Sequence, residues 1–248
     1  MKNIAIILTM ATVLFAQTGL ELAQQIDNKK EPNDISAIMK MELTNKKGKV
    51  KTSSFKSISK DGGEKQIIWF LSPADDKGVA FLKIEHENKD DEMRMWLPAF
   101  NKIRRISSKK KADAFMGSDM SYEDLENRNI NENTYEIIGE EEINGVLCWM
   151  LKSTPNKGIT KTYSHHITWV SKDKLLALKE ESFDRTNKLL KFKTFEYQHI
   201  GEYDTPSEIF VENVQKKHST KLIFEKIVLD SGIKDNLFHE KNLKRIPK

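Results

Sequence analysis

The stretch "FMGSDMSYEDL", residues 115–125, brings together hydroxyl and carboxylate side chains that can support nucleophilic or acid–base chemistry. Ser118 or Ser121 would act as a nucleophile only with a general base within hydrogen-bond reach. No Gly-x-Ser-x-Gly elbow surrounds either serine, and the six histidines are scattered along the chain. The pattern argues against a serine hydrolase, and we predict that the protein is not an enzyme.

The same stretch has the pattern of a structural loop. Ser121 and Asp124 have the spacing of a capping box, and Met120 and Leu125 have the spacing of a hydrophobic staple. A glycine and a serine just before the box would form the turn that leads into it. The sequence therefore predicts a structural rim loop, which consists of Gly117, Ser118, Asp119, Ser121 and Asp124.

The histidine and cysteine spacing does not indicate a metal site. His165 and His166 are adjacent on a predicted strand, so their side chains point to opposite faces and cannot easily share an ion. We interpret them as surface or edge-strand histidines, and we predict neither a metal nor a cofactor. Cys148 is the single cysteine, so no internal disulfide can form.

The N-terminus indicates export. Lys2 precedes the apolar run from Ile4 to Phe15, which is too short to span a bilayer. We predict a signal peptide over residues 1–16 and a single periplasmic domain over residues 17–248; an uncleaved interfacial anchor is the alternative. The formal charge of +4, with both signs mixed along the chain, is too small to indicate nucleic-acid binding.

Period-two alternation dominates the rest of the chain. Ala37, Met39, Met41 and Leu43 alternate with more polar positions, and similar runs recur about every ten residues between short polar turns. The helical signal is weaker, with a capping box from Thr18 to Glu21 opening the mature chain. A sheet of about eleven or more antiparallel strands must close or curl.

The apolar side of this sheet is larger than a few short helices would cover. Either the sheet folds into a sandwich, or it encloses an apolar cavity, and flexible methionines suit both cases. Alternation identifies the candidate cavity residues as Met39, Met41, Leu43, Trp69, Met93, Met95, Leu97, Trp149, Trp169, Phe192 and Phe224.

A basic cluster, "KIRRISSKKK", occupies residues 102–111. Alternation prevents its charges from forming one continuous stripe. It is either a solvated hairpin, which we favour for residues 109–111, or a patch for anionic headgroups or an acidic partner. Arg104 and Arg105 would be the main contributors to such a patch.

Together these motifs resemble a known family. "MWLPAFNKIRRISSKKKADAFMGSDMSYEDL", residues 95–125, is similar to the signature of the outer-membrane lipoprotein-sorting-protein-like group, relatives of the LolA carriers. The segments "ITWVSKDKLLALKEESFDRTNKLLK" and "FHEKNLKR" resemble later parts of the same group. The resemblance covers nearly all of the predicted mature chain.

The resemblance implies a mainly β fold: a strongly curved antiparallel sheet that forms an open half-barrel, with helices partly covering its apolar hollow. It also implies a periplasmic carrier that binds lipid or lipoprotein acyl chains without catalysis, and we predict that this carrier is a monomer. Its partners would be an inner-membrane transporter or exporter and an outer-membrane acceptor. The alternative is an accessory subunit that docks on a resistance-nodulation-division-type exporter.

Overall fold

Thirteen β-strands and one α-helix form the regular structure of the computed structural model, which describes residues 17–87, 89, 91–159 and 161–246. The predicted signal peptide, residues 1–16, lies outside the described residues. The helix is α1, Gly19–Asp27. The strands are β1 Asp34–Thr44, β2 Val50–Lys60, β3 Lys65–Ser72, β4 Ala80–Ile84, β5 Glu92–Leu97, β6 Lys102–Arg105, β7 Asn133–Ile143, β8 Val146–Pro155, β9 His165–Ser171, β10 Ala177–Phe183, β11 Leu189–Ile200, β12 Tyr203–Asn213 and β13 His218–Leu229.

All thirteen strands belong to one antiparallel sheet in the order β6-β5-β4-β3-β2-β1-β13-β12-β11-β10-β9-β8-β7. The sheet does not close into a barrel, and the predicted open half-barrel is confirmed. Two meanders, β1–β6 and β7–β13, meet where the first strand pairs with the last. Strands β6 and β7 therefore form the two free edges.

Cross-strand pairing defines the two faces of the sheet, because directly opposite residues share a face. One row runs from Leu43 through Thr220, Val211 and Lys193 to Glu180. We call the face that carries this row the inner face. It is the face that α1 and the connection between β6 and β7 cover.

Helix α1 begins with the predicted capping box: Glu21 N donates to Thr18 Oγ1, and Thr18 N donates to the Glu21 carboxylate. Gly19 lies so close to β7 that a Cβ there would be 2.6 Å from the Tyr135 carbonyl oxygen. The helix buries Leu22 on the inner face at this end of the sheet. Among the described residues, no helix is long and apolar enough to cross a membrane.

The C-terminal segment covers part of the outer face. Phe238 and Leu243 pack against Trp69 and Trp96 of β3 and β5. Trp69 Nε1 donates a hydrogen bond of 3.1 Å to the Asn242 carbonyl oxygen, which satisfies the indole of a fully buried side chain. This segment therefore gives the convex side of the half-barrel its own apolar core.

The connection between β6 and β7, residues 106–132, joins the two free edges of the sheet, and we call it the crossover segment. It contacts both β1 and β11 in the interior of the sheet, so it runs across the inner face. Connections of this length without regular structure are commonly functional. The predicted rim loop lies within it, over the hollow rather than at its border.

Candidate functional site

The hollow of the half-barrel has an apolar half. It is formed by strands β5, β4, β3, β2, β1 and β13, which are neighbours in this order in the sheet. Met39, Met41, Met93 and Met95 are buried there in one cluster. Leu43 belongs to the same cluster, and Leu97 and Phe224 pack against it partly buried. These seven predicted cavity residues therefore share the inner face.

The crossover segment fills this apolar half. Phe115 lies edge-on to Phe81, with ring centroids 5.3 Å apart, and edge-on to Tyr122 at 5.9 Å. Phe70 is also in ring contact with Phe115, at 6.2 Å. The methionine cluster is consequently a packed core in this structure, closed by the protein's own aromatic side chains.

The turn that directs these aromatic residues inward is the predicted one. Met116 and Gly117 both have left-handed backbones, with φ values of 50° and 78°, and the glycine adopts this conformation without strain. Ser121 N donates to Asp124 Oδ2 at 2.7 Å, and Asp124 N donates to Ser121 Oγ at 3.2 Å. The predicted box is confirmed, although only a single 3₁₀ turn, Glu123–Leu125, follows it.

Asp119 fixes the loop to β13. Its backbone N–H donates to Thr220 Oγ1 at 2.8 Å, and the Thr220 hydroxyl donates back to Asp119 Oδ2 at 2.7 Å. The same carboxylate oxygen lies 2.7 Å from His218 Nδ1. The Asp119 carbonyl accepts a further hydrogen bond of 2.7 Å from Lys191 Nζ. The loop is thus held at backbone and side chain together.

Asp124 is the centre of a charged half of the hollow. Its two carboxylate oxygens lie 2.7 Å from Lys191 Nζ and 2.8 Å from Lys193 Nζ, and Tyr163 donates a third bond of 2.8 Å. The three charged side chains are at most 8% exposed. Burial alone would raise the pKa of the Asp124 carboxyl, but the two ammonium groups hold that pKa well below its usual value.

The network continues from β11 to β10 and β9. Lys193 Nζ lies 3.0 Å from Glu180 Oε1, and Arg128 donates bidentate bonds of 2.6 and 2.8 Å to the same carboxylate. The Nδ1 atom of His166 lies 3.3 Å from Arg128 and 2.9 Å from Ser182 Oγ. Burial and the Arg128 charge lower the pKa of His166 to about 3, so this histidine is neutral near pH 7.

Two adjoining cavities lie beside this network and share Arg128 and Glu180 in their walls. The first, of about 310 Å³, is lined mainly by charged and amide side chains, including Lys161. The second, of about 240 Å³, lies between α1 and strands β7–β10, and its walls are mostly apolar. Its apolar walls include Ala23, Ile26, Ile130, Tyr135, Leu151, Val170 and Ala177.

Three predicted cavity residues lie on the outer face, so their placement in the hollow was wrong. Trp69 packs under the C-terminal segment. Trp169 donates to Glu141 at 2.6 Å and lies under Lys179, and Phe192 packs against Phe210. In each strand the alternation was correct, but the face was inverted. Trp149 does lie on the inner face, beside α1.

The paired histidines and arginines also separate across the sheet. His166 points inward and is buried, which corrects the surface interpretation, whereas His165 stacks on Phe183. Arg104 is directly opposite Met95, and Arg105 is opposite Arg94, so these two exposed arginines lie on opposite faces of the edge strand β6. They do not form a common patch. Within the described ranges, no cluster of three or more histidine, cysteine or acidic side chains could hold a metal ion.

Sequence reasoning missed the inward-facing charges of β9–β11. Lys191 and Lys193 alternate with apolar neighbours, as surface strands do, and Glu180 lies between two other charged residues. Charged side chains in such patterns are expected to face solvent. The available signal was Asp124, the acidic residue of the predicted capping box. Lys191 and Lys193 alternate on one face of a predicted strand, and a pair of lysines placed in this way is a candidate ion-pair partner for such an aspartate. The wall of the apolar cavity was missed for a different reason, because it depends on where α1 packs.

The geometry defines an open half-barrel whose inner face is covered by its own segments. Residues 62–245 match a family model described as an uncharacterized protein. The chain is 33% identical to a DUF1329 family protein from Desulfovibrio piger, with 91% of this chain and 97% of that chain covered and a TM-score of 0.85. It is 31% identical to a domain described as an outer membrane lipoprotein-sorting protein from Vibrio parahaemolyticus, with 92% and 98% covered and a TM-score of 0.86.

A LolA superfamily protein from Nitrosomonas europaea shares 17% identity and a TM-score of 0.72 over 91% of this chain and 99% of that chain, which shows a common fold alone. None of the curated proteins compared with the chain matches it. The chain belongs to the DUF1329 family. The resemblance to the lipoprotein-sorting-protein-like group is thereby confirmed.

Proposed function

We propose that the protein is a non-catalytic periplasmic carrier, which reversibly binds acyl chains of a lipid or lipoprotein and delivers them toward the outer membrane. The observation that carries this proposal is the apolar cavity of about 240 Å³ between α1 and the inner face, which we call the slot. Family membership supports it, since a relative is described as a lipoprotein-sorting domain. The same proposal includes export of the protein, directed by a signal peptide over residues 1–16.

An acyl chain suits this cavity on energetic grounds. Each methylene taken out of water contributes about 0.8 kcal/mol, so a carrier needs a dry apolar slot rather than an array of polar contacts. Ser153 lines the slot, and its buried hydroxyl has no hydrogen-bond partner within the described residues. That hydroxyl is available to donate to an ester or amide oxygen of a bound amphiphile.

The cover of the slot is small. Helix α1 has nine residues and contributes Leu22, Ala23 and Ile26 to the apolar contact with Leu151 and Val170. A helix this short depends on such packing for its stability. Displacing it would uncover an apolar strip on β7–β9, which an acyl chain could then occupy. The methionine cluster would join the site only if the crossover segment also moved.

One observation favours a second candidate function. The methionine half of the hollow is filled by Phe115 and Tyr122, as expected of a solid core. A packed core is what an accessory subunit docking on a resistance-nodulation-division-type exporter would need. The carrier proposal is favoured because the slot beneath α1 lies outside that filled region.

The test is native mass spectrometry of protein purified from its own cellular compartment, followed by organic extraction and lipid analysis. We expect phospholipid or acylated peptide at near one-to-one stoichiometry. Ile26→Glu puts a charge into the slot and should lower lipid retention at least tenfold, whereas Leu20→Glu, on the exposed side of α1, should leave it unchanged. If the wild type carries no lipid and also fails to bind added phospholipid and acylated peptide, the accessory-subunit function replaces the carrier.

A further inference from the structure

The turns at one end of the half-barrel carry an excess of positive charge. Because neighbouring strands are antiparallel, alternate connections lie at the same end of the sheet. The connections at one end contain ten lysines and arginines but only three aspartates. We call the connections at this end the basic rim. The connections of the basic rim are residues 45–49, 73–79, 98–101, 156–164, 184–188 and 214–217.

The opposite end has the reverse balance. Its turns between neighbouring strands are residues 61–64, 85–91, 144–145, 172–176 and 201–202. Among their described residues, seven are acidic and three are basic. The charge of the turns between neighbouring strands therefore differs in sign between the two ends of the sheet. At the opposite end, lysines outside these turns pair with turn carboxylates, as Lys30 does with Glu202 and Lys111 does with Asp91.

Contacts join several neighbouring parts of the basic rim. Lys51 forms an ion pair of 2.8 Å with Asp76 of the next turn. Further along, Gln215 donates to Asp184 at 2.8 Å, and Arg185 Nε donates to the Lys161 carbonyl oxygen at 3.1 Å. The connections 156–164, 184–188 and 214–217 are therefore in contact with one another, and β2 is tied to the connection 73–79.

The central lysines of this rim are not neutralised. Lys46, Lys47 and Lys49 in the β1–β2 turn and Lys216 and Lys217 in the β12–β13 turn are all exposed. In the part of the chain that the structure describes, none of these five lysines lies within 4.0 Å of a carboxylate. Their charges are available to an external anionic surface.

An exposed aromatic side chain lies at one end of the same rim. Phe100 is 75% exposed at the tip of the β5–β6 hairpin, where a 3₁₀ turn and the left-handed backbone of Asn101, φ 45°, bend the chain sharply. Val50, which follows the three-lysine turn, is 51% exposed. Apolar tips beside lysines are typical of segments that enter the headgroup region of a membrane.

We propose that the basic rim docks on the anionic surface of a phospholipid bilayer, with Phe100 inserted at headgroup level. A bilayer fits better than a protein partner because the lysines are flexible and spread over several turns, and the apolar tips stand singly. A protein interface would instead need a contiguous apolar centre. The docking requires no bound cargo and is tested without any.

The orientation that this docking imposes is useful for transfer. The 310 Å³ cavity has Pro155 and Lys161 in its wall, at the end of β8 and in the β8–β9 connection of the rim. A half-barrel seated on its basic rim would place this polar cavity beside the headgroups. The acidic end would face away from the bilayer.

Co-sedimentation with vesicles tests the inference, using phosphatidylcholine with 30% phosphatidylglycerol against phosphatidylcholine alone. We expect binding to the anionic vesicles only, weakening as NaCl rises from 50 to 300 mM. Lys46→Gln/Lys47→Gln/Lys49→Gln should lower affinity on the order of 100-fold, since each lysine contributes roughly fivefold near such a surface. Phe100→Ser should lower it roughly tenfold.

The matched control is Lys89→Gln/Lys172→Gln/Lys174→Gln, which removes the same charge from the opposite end and should leave affinity within about twofold. Equal loss in both triple variants would overturn the proposal, because net charge alone would then explain binding. Equal binding to neutral vesicles, or no vesicle binding at 50 mM NaCl while polyglutamate binds, would overturn it as well. Unchanged thermal unfolding of each variant ensures that a loss reflects the surface.

Discussion

The two halves of the inner face hold the same crossover segment by different forces. In the apolar half, Phe115 and Tyr122 pack against methionines and phenylalanines, a contact with little directional demand. In the charged half, Asp124 contacts two lysines through specified oxygen atoms. Apolar burial would stabilise many different placements of the crossover segment on the inner face. The buried ion pairs stabilise only the placement that brings Asp124 to both lysines.

The difference also bears on how the segment could move. Sliding aromatic rings off methionines exposes apolar area in proportion to the movement. Separating Asp124 from Lys191 and Lys193 leaves buried Lys191 without a carboxylate partner and Lys193 with Glu180 alone, which is strongly unfavourable until water or a new partner arrives. We therefore expect the crossover segment to stay bound at the charged half and to separate first from the apolar half.

The largest effect should follow from removing the anchor. Asp124→Ala removes the carboxylate partner of buried Lys191 and one of the two carboxylates beside Lys193, and it should lower the free energy of unfolding by about 3–5 kcal/mol in urea denaturation. Asp113→Ala, an exposed carboxylate in the same segment, should change it by less than about 0.5 kcal/mol. If both variants unfold at the wild-type urea concentration, the network does not anchor the segment.

A slightly smaller effect is expected in the apolar half. Phe115→Ala should cost about 3 kcal/mol through lost burial and a residual cavity. The variant should bind a fluorescent fatty acid more tightly than the wild type, because the emptied space adjoins the methionine cluster. Phe100→Ala, at an exposed position, is the control and should change neither quantity. Stability loss without any gain in fatty-acid binding would show that the hollow collapses.

The charged half should also make stability depend on pH. His166 has a folded pKa of about 3 against 6.5 unfolded, so below pH 6.5 the unfolded chain binds a proton that the folded chain does not. Stability should fall by about 2 kcal/mol between pH 7.5 and pH 5. The His166 loss continues down to its folded pKa of about 3. Below about pH 4.5 a second loss is added to it, because the pKa values of Asp124 and Glu180 are lowered in the folded state.

His166→Gln separates these two steps. The glutamine can form a hydrogen bond with Ser182 and does not titrate, so the loss between pH 7.5 and pH 5 should shrink by most of its size. The part of the loss below pH 4.5 that Asp124 and Glu180 cause should remain. Urea midpoints measured at half-unit pH intervals give both slopes. A variant profile that overlays the wild type between pH 7.5 and pH 5 would assign the early step to another group.

The smallest effect concerns the local box. Ser121→Ala removes a hydroxyl that accepts from Asp124 N and contacts Tyr163, at a cost of about 1 kcal/mol in thermal or urea unfolding. Ser107→Ala, in an exposed part of the crossover segment, should be neutral within about 0.5 kcal/mol. A cost above that of Asp124→Ala would mean that the serine, rather than the carboxylate, fixes the segment.

The period of the strands could be predicted from the sequence, but the face that points inward could not. The alternation of Met39 and Met41 was correct, and these residues are apolar on the buried side. In β11 the same rule placed Phe192 inside, although Lys191 and Lys193 occupy that side. The sequence of a strand reveals which residues share a face, because side chains alternate. Which of the two faces is buried depends on the segments that pack against the sheet.

The candidate site divides in the same way. The box of Ser121 and Asp124 could be predicted because capping is local in sequence. Its tie to Lys191 joins residues 67 positions apart, and no short-range pattern records that distance. The slot beneath α1 likewise depends on the docking of a nine-residue helix onto β7–β9, which the capping box of Thr18 starts but does not direct.

The pairing of β1 with β13 also sets an order on how the chain can mature. The strand nearest the N-terminus finds one of its neighbours only after the last strand has been synthesised, and Asp34 then receives backbone N–H groups from Gly232 and Ile233. Contacts so distant in sequence form slowly. Until β13 is available, the chain can therefore hold only two incomplete meanders, and the sheet becomes continuous when β13 pairs with β1.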